Sequence, residues 1–241
     1  MAKIKWDGAG EHYYEGGISQ GVLYVMKDTI TATEGTLKGD EYYGTGKPWN
    51  GLVTVSETPE GGDATSVYAD NIKYITLIGA QTFSGSLECY TYPEDFNPCI
   101  GEAQTIGTGV FAGQQDRKKF AFCYRTEIGN DTSNKAGYKL HIVYGCYAGA
   151  PSRDYNTIND SPEANTMSFD FSADPVTDPY VDSSKPTFST AIVTIDSTVV
   201  DSTKMALIEA KLYGTDTEGS TTGTNPVLLF PNEIKTILNS N

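Results

Sequence analysis

A chain of 241 residues, 38% hydrophobic and 20% charged, can bury a sizeable core as one large domain or two small ones. No run approaches the ~20 apolar residues of a membrane helix, and the lysines of Met1–Trp6 have no apolar stretch behind them, so neither a membrane span nor a signal peptide is expected. A formal net charge of −14 speaks against gripping nucleic acid by its phosphates, which takes clustered Lys and Arg; it is compatible with a surface that repels DNA, or with plain solubility.

Tyr (16) dominates the aromatics, and Gly (25) and Thr are frequent, a composition that favours pleated sheet. In chain order, Gly21–Met26 gives a weak strand signal. Asp28–Asp63 shows no convincing element but contains Trp49, flanked by Pro48 and Gly51. A long structureless loop is more often functional or disordered than incidental, and a large aromatic suits a docked position, with a neighbouring subunit favoured over its own domain. Asn71–Ile78 and Phe83–Tyr92 are further weak strands, and Gly79-Ala80-Gln81-Thr82 between them reads as a hairpin turn. A helical turn near Glu94–Asn97 is weakly signalled inside the otherwise patternless Pro93–Lys118.

Three strands alternate clearly with period two. In Phe120–Ile128, Phe120, Phe122, Tyr124 and Ile128 oppose Cys123, Arg125 and Glu127. After the polar loop Gly129–Gly137, Tyr138, Leu140, Ile142, Tyr144 and Cys146 oppose Lys139, His141, Val143 and Tyr147. In Thr166–Asp174, Met167, Phe169, Phe171 and Ala173 oppose Ser168, Asp170, Ser172 and Asp174. Each is expected to bury one face. Ala150–Pro162 has no element, and Thr187–Ile195 is a weak strand. One helix is marked over about 202–213, with Asp201 or Ser202 as cap, Met205, Ile208 and Leu212 at helical spacing, and Gly214 to end it. The succession of strands is that of a mainly β, antiparallel fold, not the alternation of a nucleotide-binding sheet.

No catalytic pattern emerges. Two histidines, His12 and His141, leave few members for a nucleophilic triad or a metal cluster, and there is no GxxxxGK[ST], HExxH or DxDxDG. Gly8-Ala9-Gly10 leads to Tyr13-Tyr14 and not into a helix. Pairs such as Glu94-Asp95 and Asp40-Glu41 would serve a glycosidase only if carboxylates converged across a cleft, and 31 acidic residues produce such pairs by chance. Cys89, Cys99, Cys123 and Cys146 form no CxxC pair and read as reduced, buried small hydrophobes. The expectation is a non-enzyme without metal or cofactor.

Several stretches carry a family resemblance: Lys5-Trp6-Asp7-Gly8-Ala9-Gly10 with Tyr13–Gly17, Pro48-Trp49-Asn50-Gly51-Leu52, Tyr68–Tyr74, Gly113-Gln114-Gln115-Asp116-Arg117-Lys118-Lys119-Phe120 through Thr126, Asn130-Asp131, Gly137–His141 and Tyr155–Ala164. Together, from about residue 5 to about residue 215, they resemble the major tail proteins of siphophages that infect Gram-positive bacteria. That resemblance implies a tail-tube fold, a β-sandwich or incomplete barrel with one flanking helix, assembling into hexameric rings that stack into a non-contractile tube conducting viral DNA. It implies a tube domain over 1–214 and a C-terminal extension or arm over 215–241. Other copies, a tape measure protein, a tail terminator and distal tail proteins would be the partners. The place implied is the virion tail, reached from the host cytoplasm, with double-stranded DNA passing through unbound and no membrane contact.

If six subunits each give about four strands, the inner barrel has about twenty-four. At ~4.8 Å spacing and ~40° tilt its backbone diameter is on the order of 45–50 Å, wide enough for duplex DNA. The acids Glu88, Glu127, Asp170 and Asp174 are candidates for its lining, and Pro48, Trp49, Val227, Leu228, Leu229 and Phe230 for contacts between subunits or rings. The alternative is a β-sandwich receptor- or carbohydrate-binding module of a phage tail, for which a Tyr-rich surface would be suited.

Overall fold

The computed structural model describes residues 6, 8–30, 37–155, 157, 160, 164–178, 180–181, 188–216 and 222–240. Lys5 and Asp7 of the N-terminal motif, parts of the Tyr155–Ala164 motif, Thr187 and the Thr-Gly-Ser stretch 217–221 lie outside them.

The protein is mainly β. In chain order come β1 (Tyr13–Val25), the short helix α1 (Gly39–Tyr42), β2 (Lys47–Trp49), β3 (Leu52–Gly61), β4 (Ala64–Ala69), β5 (Ile72–Ile78) and β6 (Gln81–Cys89). A 3-10 helix (Glu94–Cys99), β7 (Ala103–Gly107), β8 (Val110–Ala112), β9 (Phe120–Asn130), β10 (Gly137–Ala148) and β11 (Ser152–Arg153) follow. The remainder is β12 (Met167–Ala173), β13 (Val176–Thr177), β14 (Ser189–Thr190), β15 (Ile192–Asp196), α2 (Ser202–Tyr213) and α3 (Pro231–Asn239). The main sheet is antiparallel, in the order β2-β1-β9-β10-β12-β6-β3, with β15 paired to the first half of β10 and β11 to β12. It curls until its ends meet without a ladder between them. A Cβ on Gly21 of β1 would stand 2.3 Å from Leu52 Cδ1 of β3, so the two ends of the sheet are in close contact. The result is an incomplete barrel.

The three well-marked strands form where expected, but β9 and β10 are buried on both faces. Leu23, Phe120, Phe122, Tyr124, Val143, Phe169 and Phe171 fill the inside of the curl, plugged by Phe96 of the 3-10 helix. Val22, Tyr24, Ala121, Cys123, Leu140, Ile142 and Tyr144 pack outward beneath Met205, Ile208 and Leu212 of α2 and Ile234 of α3. Strict alternation places Cys146 with Tyr144. Instead a bulge at Gly145 (φ 60°), between Val143 and Cys146, turns Cys146 inward.

The helix over 202–213 is present, capped by Asp201, whose side chain accepts from Thr203 N (2.9 Å) and Lys204 N (3.3 Å). Asp201→Ala should cost about 1 kcal/mol, read as a lower urea midpoint at unchanged m-value; no shift in midpoint would show the cap to be idle.

Of the stretch after Gly214, expected as an arm, the described residues from Val227 onward pack back onto the body. Leu228, Leu229 and Phe230 are buried in the outer core, Val227 N donates to Lys211 O, and Tyr144 Oη donates to Leu229 O. The chain then forms a helix the periodicity did not announce, α3, with Pro231 in its first turn and the Glu233 carboxylate accepting from both Phe230 N and Gly39 N. Four consecutive apolar residues are better covered by the domain's own sheet than left in water.

Candidate functional site

The feature that the fold does not explain internally is a projecting ribbon. β3 and β6 pair as far as Gly61 opposite Gln81, and the same two chain directions continue as β4 and β5 from Ala64 opposite Ile78. The turn at the tip is Asp70-Asn71, both with positive φ (52° and 62°), the two-residue geometry that suits a twisted hairpin. The expected turn at Gly79–Thr82 is therefore not a hairpin: β5 pairs with β4, and β6 with β3 and β12.

Both faces of the ribbon are apolar and both are exposed. From the pairing, Val67, Ile75 and Leu77 share one face, at 39, 46 and 52% exposure. Ile72, Tyr74 and Ile78 share the other, at 64, 73 and 74%. A second hairpin, β7–β8, exposes Ile106, Val110 and Phe111, and the N-terminal end exposes Trp6, Tyr13 and Tyr14.

A different surface lies on the outer face of β3, β6 and β12, on the side opposite Val55, Leu87, Phe169 and Phe171. The registers set three cross-strand rows: Thr54–Glu88–Ser168, Ser56–Ser86–Asp170 and Thr58–Ser84–Ser172. These three rows are rich in hydroxyls, with two acids and no basic or large apolar side chain, and Glu60 opposite Thr82 adds a third acid at the next row. Of the four acids expected together, the structure brings Glu88 and Asp170 onto this face. Glu127 is elsewhere, on the helix-covered side of β9 beside Arg125 (3.9 Å), whose guanidinium lies 4.2 Å from the centre of the Tyr138 ring. Asp174 lies just past the end of β12 and is ion-paired with Lys119 Nζ at 2.9 Å, an interaction that raises the lysine's pKa.

Trp49 is placed against its own domain rather than a neighbour. It is 4% exposed, its ring lies 4.7 Å from that of Phe96, and its Nε1–H donates to Thr91 O at 3.2 Å. Pro48 beside it is exposed at the rim of a 440 Å³ cleft that includes Gly21, Tyr213 and Pro226, and Val227 is half-buried. All four cysteines are free and buried, with burial pushing the Cys99 and Cys123 thiols up to about 12. Among the described residues no set of three or more His, Cys, Asp and Glu side chains is grouped to hold a metal ion, and no helix is long and apolar enough to cross a membrane. Of the ribbon's outer half, the sequence reading found β5 as the weak strand Asn71–Ile78 and missed β4, where Ser and Thr stand beside the apolar residues.

No family model matches the chain, and no curated protein matches it. Among solved structures it is similar to the SPP1 tail tube, at 13% identity over 88% of this chain and 96% of that one, TM-score 0.37. It is also similar to a chain of the anti-feeding prophage baseplate, at 6% identity over 80% and 97% of the two chains, TM-score 0.34. A third is a chain of the sheath–tube complex of the PVC extracellular contractile injection system in its extended state, at 11% identity over 73% and 88%, TM-score 0.30.

Proposed function

We propose that this chain is the repeating subunit of a self-assembled tube, the major tail protein of a long non-contractile phage tail, in which stacked six-membered rings conduct double-stranded DNA. The observation that carries the reading is the β4–β5 ribbon. A two-stranded hairpin is marginal in water by itself, and strands apolar on both faces belong where both faces are covered. This ribbon's own body covers neither, and a neighbouring copy supplies the cover. Ribbon and receiving surface are different parts of one chain, so the contact is heterologous, the kind that generates closed rings or open filaments. The motif resemblance narrows a tube to a phage tail; with it come a tape measure protein, a terminator and distal tail proteins as partners, and the virion tail as location.

The polar face of β3, β6 and β12 is the lumen in this reading. Hydroxyls and the carboxylates of Glu88 and Asp170 offer phosphates no cation, so DNA slides without being held. Sedimentation velocity tests the assembly directly: large species should grow with concentration, and a single 26.0 kDa species at every concentration would overturn it. For the lumen, Glu88→Lys with Asp170→Lys should leave tube yield intact while lowering infective titre by more than tenfold. Tubes that deliver DNA normally with both lysines in place would remove the lumen assignment.

A further inference from the structure

Inside the curled sheet, beyond its apolar half, five strands send polar groups to one point. His141 of β10 is 8% exposed and stacks on Tyr124 of β9, ring centroids 4.7 Å apart and planes 5° from parallel. Facing the imidazole are Glu15 from β1, Glu57 from β3, Tyr124 and Thr126 from β9, Lys139 from β10 and Thr194 from β15. Lys139 Nζ is 2.5 Å from Glu15 Oε2 and stands opposite Asp196 in the ladder.

The surrounding donors dictate the tautomer. Thr126 Oγ1 donates its one proton to Glu15 Oε1 at 2.6 Å, so towards His141 Nε2, 2.9 Å away, it accepts. Nε2 therefore carries the hydrogen, and Nδ1 accepts from Thr194 Oγ1 at 3.3 Å. Glu57 Oε1 lies 3.6 Å from that same Nδ1, lone pair facing lone pair, and takes its hydrogen from the Tyr124 hydroxyl. Glu57 sits on β3, whose backbone ladder runs to β6, and this pair is the root of the apolar ribbon.

We infer that His141 is a proton-operated clamp, which on gaining a proton at Nδ1 bonds Glu57 and fastens β3, the base of the ribbon, to β10. With the ring neutral, the carboxylates of Glu15 and Glu57, with Asp196 across the ladder, face the single ammonium of Lys139; proton uptake reduces the excess negative charge and turns the Nδ1–Glu57 contact into a charge-assisted bond. Burial holds the imidazole below the ordinary histidine range, against the opposing pull of Glu57 and Glu15, so the clamp closes in acid solution. A base whose folded-state pKa is depressed loses global stability as pH falls. The test must therefore be local. The clamp lies within one chain, so its failure would leave the proposed assembly standing, and the reverse holds too.

The experiment is NMR on the full chain, kept below the concentration of assembly. Ring ¹⁵N shifts of His141 should show hydrogen on Nε2 at neutral pH. As the ring titrates, amide protection at Val55–Thr58, corrected for intrinsic exchange, should rise severalfold in the native chain and stay flat in Glu57→Gln. Hydrogen on Nδ1 at neutral pH, a flat or falling protection in the native chain, or the same rise in Glu57→Gln would each overturn the clamp. The ring measurement needs no variant and stands even if Glu57→Gln folds poorly.

Discussion

Replacing Ile72, Tyr74 and Ile78 together by threonine is expected to abolish tube formation while leaving the free subunit's melting temperature within about a degree. All three side chains are largely exposed, so the monomer has little to lose, and threonine keeps the strand preference of the ribbon. Each side chain is worth about 1.5 kcal/mol at the low end when a neighbour buries it, and together they weaken each contact on the order of a thousandfold. Because both faces are apolar, the same outcome is expected for Val67, Ile75 and Leu77 changed to threonine. Sedimentation and thermal melting of the two triple variants read this out. Normal polymerisation by either would mean that the face concerned is not covered by a neighbour.

The second large effect is on the fold itself. Phe96 is fully buried and its ring packs 4.7–5.8 Å from those of Trp49, Tyr92, Phe120 and Phe169. Truncation of such a side chain removes the transfer energy of the ring and leaves a cavity, about 3–5 kcal/mol in all, out of a total of roughly 5–15 for a domain. Phe96→Ala should lower the urea midpoint steeply, whereas Phe111→Ala, on the exposed β7–β8 hairpin, should barely move it. A loss below about 1 kcal/mol for Phe96→Ala would mean that the 3-10 helix does not plug the curled sheet.

Much of this architecture was legible in the sequence because it rests on local pattern. β9, β10 and β12 announce themselves by period-two alternation, and α2 by its Asp201 cap, its apolar spacing and Gly214. What escaped depends on partners distant in the chain. β3 starts with Leu52-Val53-Thr54-Val55 but runs on in Ser, Glu, Thr and Pro with no sustained alternation, and it is identified only by its pairing with β6. The hairpin turn was misplaced because Gly79-Ala80 looks more like a turn than Asp70-Asn71, whose positive φ values are visible only in the folded chain. Trp49 looked like an interface residue because nothing local reveals Phe96 waiting for it. The acids Glu88 and Asp170 meet through the β6–β12 register, whereas Glu127 and Asp174 share their alternation but not their surface. The His141 cluster draws on residues from 15 to 194, a convergence no spacing rule contains.

Electron microscopy of negatively stained protein, concentrated well above its assembly point, speaks to the central claim most directly. Hollow six-fold rings or tubes, absent when Ile72, Tyr74 and Ile78 are threonine, are the predicted picture. A uniform field of solitary particles from the native chain, with the ribbon as exposed at high concentration as at low, would contradict it.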